Sequence, residues 1–187
     1  IGTNAIISNI TGSRLIAIGD SALYSNTNND NIAVGDRCLR SNTTGLANTA
    51  VGNQALYQNT TGSYNTAYGL SALKSNTTGT SNSAIGRSSL INNTIGSGNT
   101  ATSSQALSSN TTGVYNAAYG YLTLVLNKTG VDNTAIGTNA LNSSKGNSNT
   151  GVGYASMYHL DSGTYNTAIG KYSGFGSFGV SYDNCTF

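Results

Sequence analysis

The chain has no proline and no tryptophan among its 187 residues, and only one histidine, one methionine and two cysteines. All six of its acidic residues are aspartates, so glutamate is missing as well. Charged residues make up 7% of the chain, against roughly 25% in an ordinary globular protein. The eight lysines and arginines are scattered and the net charge is +2, so there is no basic patch of the kind that holds nucleic acid. Disorder usually comes with high net charge, which is absent too. Apolar runs fall well short of the 20 or so residues a membrane-crossing helix needs, so no membrane contact is expected within this segment. No Cys-x-x-Cys or other metal-ligand spacing occurs, and neither a metal nor a cofactor is expected. No secretory signal opens the sequence. Ile1-Gly2 already falls inside a repeat, which leads us to expect a piece of a longer chain with its export signal or anchor elsewhere.

What is present is Asn, Thr, Ser and Gly, arranged with a fixed period. A turn glycine recurs at Gly2, Gly19, Gly35, Gly52, Gly69, Gly86, Gly120, Gly137, Gly153 and Gly170, in steps of 17 residues with a few of 16, and Ser103 takes its place once. One residue before it stands Ile, Val or Tyr (Ile18, Val51, Ile85, Ile136), two before stands Ala (Ala17, Ala50, Ala84, Ala135), and four after stands Leu (Leu23, Leu56, Leu90, Leu141). A second glycine follows ten residues after the first, as at Gly45, Gly62, Gly79 and Gly113. Asn recurs four residues before the turn glycine (Asn48, Asn65, Asn82) and again seven after it (Asn42, Asn59, Asn76).

This pattern excludes an amphipathic helix, which needs an apolar stripe at 3.6 spacing over ten or more residues. Two glycines per repeat also oppose a helix. A short period of this kind points instead to a stacked solenoid. The spacing predicts two short strands per coil, Thr-Ala-Ile and Ala-Leu, each followed by a glycine bend in which positive φ is tolerated. Strand side chains alternate, so the Ile and the Ala before each glycine face opposite sides. We expect a core of Ile and Leu, an Ala face buried against neighbouring chains around a three-fold axis, and amide ladders formed by the two Asn columns. The fold expected is all-β: a parallel β-roll or β-solenoid of about ten 17-residue coils over residues 1–173, in a trimeric fibre, with 174–187 as an irregular capping or junction segment.

The unit Asn-Thr-Ala-(Ile/Val)-Gly-x-x-Ala-Leu, carried by Ala50-Val51-Gly52 and Ala135-Ile136-Gly137, resembles the head-domain repeat of trimeric autotransporter adhesins. The longer bend Ser-Asn-Thr-Thr-Gly, at Ser41–Gly45 and Ser75–Gly79, is not a habit of that family and is similar to repeats of phage and viral trimeric tail-fibre proteins. The resemblance implies a non-catalytic, structural or adhesive homotrimeric fibre on a cell or virion surface, whose partner is a host-surface glycan or protein. A tail-fibre shaft that binds host glycans is the alternative owner. An ice-binding solenoid is a third reading, resting on the bend pairs Thr43-Thr44, Thr60-Thr61, Thr77-Thr78 and Thr111-Thr112.

A few residues stand outside the period. Tyr64, Tyr115 and Tyr165 share one slot and are candidate ligand contacts, because Tyr offers a large rigid surface and a hydroxyl. Tyr24, Tyr57 and Tyr158 share another. Phe175, Phe178 and Phe187 are the only phenylalanines and are expected at a cap or tip. His159 lies near Asp161 and Ser162, but triads are recognised by geometry, and no catalytic residue is expected. Asn28-Asn29-Asp30-Asn31 lacks the acidic count of a calcium loop. The sequons at Asn42, Asn59, Asn76 and Asn110 read as an accident of the bend. Nearly nine coils separate Cys38 from Cys185, roughly 40 Å at about 4.8 Å per coil, far beyond the 7 Å or so that a disulfide spans. Cys38 reads as a buried space-filler and Cys185 as the candidate for an interchain contact.

Overall fold

A computed structural model describes residues 1–176 and 181–187. Among them there is no helix. Ten strands of three residues recur once per coil: β1 (Ile16–Ile18), β2 (Ile32–Val34), β3 (Thr49–Val51), β4 (Thr66–Tyr68), β5 (Ser83–Ile85), β6 (Thr100–Thr102), β7 (Ala117–Tyr119), β8 (Thr134–Ile136), β9 (Thr150–Val152) and β10 (Thr167–Ile169). They form one parallel sheet in sequence order, each strand paired with the next without a slip, so that Ala33 faces Ala50 and Ala50 faces Ala67. The chain is a β-solenoid.

One strand per coil, not two, is the first correction. The Ala-Leu segment is a turn ribbon in which positive φ alternates with ordinary values: Gln54 has φ +57° and Leu56 +51°, with Ala55 between them. Alternating hands cancel the coiling that either hand alone produces. The segment therefore runs nearly straight and directs its polar groups along the stack. Leu56 N–H donates to Ala72 O at 3.0 Å and Gln58 N–H to Lys74 O at 2.9 Å, towards the next coil. Gly52 N–H donates to Val34 O at 2.8 Å and Gln54 N–H to Asp36 O at 2.9 Å, towards the preceding one. A left-handed Leu costs roughly 1–2 kcal/mol, which the 1.5–3 kcal/mol or so from burying its side chain offsets.

The second correction concerns which face is inside. The strand-centre alanines, Ala33 through Ala135 and Ala168, are fully buried within the coil, opposite the buried column Leu23, Leu39, Leu56, Leu73, Leu90, Leu107, Leu124 and Leu141. The aliphatics expected in the core point outward: Ile85 is 45% exposed and Ile169 67%. Volume decides this. In β9, where glycine takes the alanine slot, a Cβ on Gly151 would lie 3.0 Å from Ser156 Oγ and 3.1 Å from Leu141 Cγ, so even a methyl is tight there, while the other coils hold a fully or nearly fully buried alanine. In those coils there is room for a methyl group and no more.

The two glycines serve different ends. Gly52 has φ +130°, and a Cβ there would lie 2.5 Å from Gly69 O of the next coil. Gly62 is not at positive φ, contrary to expectation. It is needed because a Cβ would meet Asn59 Oδ1 and Gly79 O, each at 2.4 Å. Ser103 holds the turn-glycine conformation, φ +107°, with a side chain attached.

Both asparagine columns are buried and form directional ladders. Asn59 Nδ2 donates to Asn42 Oδ1 at 2.7 Å and to Gly62 O at 2.8 Å. In the second ladder Asn65 Oδ1 accepts from both the N–H and the Nδ2 of Asn82, at 3.0 and 3.2 Å, while Asn82 Nδ2 also donates to Gly96 O at 2.8 Å. Asn82→Ala removes the Nδ2 that donates to Asn65 Oδ1 and Gly96 O, and the Oδ1 that accepts from the N–H and Nδ2 of Asn99. At about 1–3 kcal/mol per buried orphan, we expect a loss of roughly 3 kcal/mol or more in chemical denaturation. Ser103→Gly relieves a left-handed strain and should gain about 1 kcal/mol in the same assay.

Candidate interaction surfaces

Because alanine faces inward, the outward residues of ten strands make a continuous sheet face. Its column before the turn glycine reads Ile18, Val34, Val51, Tyr68, Ile85, Thr102, Tyr119, Ile136, Val152 and Ile169. Its other column reads Ile16, Ile32, Thr49, Thr66, Ser83, Thr100, Ala117, Thr134, Thr150 and Thr167. None of these twenty positions carries a charge. At about 4.8 Å per coil the face runs roughly 43 Å along the stack. Sequence reasoning had the right alternation here and assigned it the wrong way round.

Tyr64, Tyr115 and Tyr165 are all exposed, at 61%, 66% and 67%. They recur every third coil, roughly 14 Å apart along the stack, so no two of them touch one ligand group together. Each has positive φ. The Tyr115 ring lies over Gly98 of the preceding coil, where a Cβ would come within 2.6 Å of the ring. Of the other tyrosine slot, Tyr24 sits under the Arg40 guanidinium at 5.2 Å and Tyr158 stacks on Phe175 at 5.7 Å. Phe175 also meets Tyr172 and His159 edge-on, at 5.3 and 5.0 Å. Phe187 packs against Tyr182, and its N–H donates to Thr167 O at 2.9 Å, so residues 181–187 lie along the open edge of β10. Phe178 lies outside the described residues.

The remaining motifs are occupied by structural bonds. Asp161 pairs with Lys145, and the Ser162 hydroxyl lies 2.7 Å from that of Ser181, so neither is directed at His159. Asp30 is held by Arg14, whose hydrogen bond draws the Asp30 carboxyl below its usual range. Asn29 Oδ1 accepts from Ser13, and Asn31 belongs to the buried ladder. No cluster of three His, Cys or Asp side chains able to hold a metal occurs among the described residues. The sequon residues Asn42, Asn59, Asn76 and Asn110 are fully buried, with Nδ2, the atom a glycan would join, donating within the stack. The first threonine of each bend pair is tied down as well: Thr60 Oγ1 donates to Thr77 O at 3.0 Å and Thr77 Oγ1 to Thr94 O at 3.0 Å.

Comparison with family models, with curated proteins and with solved structures finds no match to this chain.

Both cysteines are free, Cys38 buried and Cys185 partly exposed. Burial pushes the Cys38 thiol from 9.0 up to about 12. An aromatic disulfide reagent at pH 8 should therefore label Cys185 alone in the folded chain, and Cys38 only after denaturation. Between pH 9 and about 12 the unfolded chain releases the Cys38 proton while the folded chain keeps it, so this group makes stability fall as pH rises through that window. Cys38→Ala should flatten that part of the pH–stability curve.

Proposed function

We propose that this chain is a segment of a non-catalytic, structural or adhesive homotrimeric fibre on a cell or virion surface. The observation that carries the reading is the charge-free sheet face. A stable protein interface uses about 20–30 residues a side and is depleted of charge at its core. The sheet face offers twenty such positions in one strip, with a column of Ile, Val and Tyr interrupted only at Thr102. A monomer rarely leaves so long an apolar strip in water.

Three-fold closure needs two different patches on each chain, because a ring is built from head-to-tail contacts. The column just past the turn glycine supplies a second, adjoining surface with Leu70, Tyr121 and Tyr154 exposed. The repeat unit, similar to those of trimeric surface fibres, supports the same number. In such a fibre Tyr64, Tyr115 and Tyr165, on a different edge from the strands, stay available to a host-surface glycan or protein. The ice-binding alternative loses ground in the bends, where the first threonine of each pair donates its hydroxyl to the next coil. The outward Thr column on the strands is broken by Ile16, Ile32, Ser83 and Ala117.

Sedimentation equilibrium should give three chains per particle at micromolar concentration. Ile85→Lys with Ile136→Lys, two exposed positions in the middle of the strip, should give a monomer with an unchanged far-ultraviolet spectrum. A native monomer, or a trimer that survives both lysines, would sink the reading.

A further inference from the structure

In a regular bend three successive N–H groups close on one carbonyl of the next coil. Thr60, Thr61 and Gly62 donate to Thr77 O at 2.9, 3.2 and 3.3 Å, and Thr111, Thr112 and Gly113 to Lys128 O at 2.8, 3.2 and 3.3 Å. The pattern breaks one coil later. Asn127-Lys128-Thr129-Gly130 is followed by Ser144-Lys145-Gly146, a bend one residue short. The carbonyl that would receive the fan is out of place, and the N–H groups of Lys128, Thr129 and Gly130 have no acceptor among the described residues. The amide ladder fails at the same point. Asn127 Nδ2 reaches Asn110 Oδ1 and Gly130 O at only 3.4 and 3.3 Å, and the buried Asn127 Oδ1 and Ser144 Oγ are both unpaired.

A groove of about 440 Å³ opens at this break, lined by Leu126, Lys128, Thr129 and Lys145. The Lys145 ammonium is shared with Asp161, whereas Lys128 has no ion-pair partner among the described residues. The other shortened bend, Asn26 to Asn31, provides an internal contrast. The coil before it, Ile10-Thr11-Gly12, also leaves the Ile10 and Thr11 N–H groups without an acceptor among the described residues, but it brings no lysine, and Asn9 Oδ1 takes the third donor, Gly12 N–H, at 2.9 Å.

Consecutive backbone N–H groups turned to one point form an anion-binding concavity. In every regular coil that point holds a carbonyl oxygen. We propose that the notch at Lys128–Gly130 is an oxyanion site, taking a carboxylate or sulfate group in place of the missing carbonyl. The Lys128 ammonium stands beside it, and Leu126 offers an apolar wall to the body of the ligand. The site lies on the bend edge of the solenoid and is independent of the oligomeric state.

The test is a titration of the ¹⁵N-labelled chain with sodium sulfate, with methyl glucuronide and with neutral methyl glucoside, all at one ionic strength. Saturable shifts at the Lys128, Thr129 and Gly130 amides are expected with the two anions and not with the neutral sugar. Whichever anion saturates first identifies the preferred group. Lys128→Gln, at an exposed position, should weaken binding about tenfold, the worth of one charge-assisted hydrogen bond. Inserting one Thr between Lys145 and Gly146 restores the regular bend and its carbonyl, and should abolish the saturable shifts without lowering the melting temperature. The proposal is overturned if neither anion gives saturable shifts at these three amides. It is also overturned if Lys128→Gln binds as tightly as the native chain.

Discussion

Every coil of this chain must pass most of its hydrogen bonds to the coils on either side, because a loop of about 17 residues holds one three-residue strand and only a few turn bonds of its own, such as Ala55 N–H to Gly52 O and Asn59 N–H to Leu56 O. The strand ladder accounts for a few. The left-handed residues at Gln54 and Leu56 orient the turn ribbon so that it can contribute more. The bends are closed by asparagine, whose amide is a donor and an acceptor at once, so each ladder continues itself from coil to coil. A hydroxyl or a carboxylate lacks that combination. The same constraint explains the composition. Charge is nearly absent because the interior of the stack is filled by neutral amides, and a lysine or aspartate in either ladder would be buried without a partner.

The tight interior also determines the exterior. Once Leu occupies the coil, the facing strand has space for a methyl group only, and the branched residue beside it must turn outward. The exposed apolar strip is therefore a consequence of how the coil is filled. That geometry is what an associating fibre would use, and it ties the proposed trimer to the outward Ile, Val and Tyr column in place of the alanines.

Much of this was legible in the sequence. The period, the parallel register, the two glycine columns and the two asparagine ladders all follow from spacing. The face assignment did not. Alternation over three residues such as Thr134-Ala135-Ile136 gives two faces without saying which is inside, and hydrophobicity alone favours the Ile. Only the volume taken up by Leu141 and its equivalents decides it. Nor did the sequence disclose the turn ribbon, since Leu is an unlikely left-handed residue unless burial offsets the strain. The 16-residue step at Ser144–Gly146 was visible as a number. Its effect, three donors without an acceptor among the described residues, depends on where one carbonyl lies. Tyr64, Tyr115 and Tyr165 are exposed, but their three-coil spacing, which keeps them apart, becomes a distance only once the coil rise is known.

The account rests on the ladders being buried and bonded, and hydrogen exchange of the asparagine side-chain amides tests that most directly. The Nδ2 protons of Asn65, Asn82 and Asn99 should exchange orders of magnitude more slowly than those of Asn53 and Asn92, which lie at the surface. Exchange of all five at the rate of a free amide would contradict it.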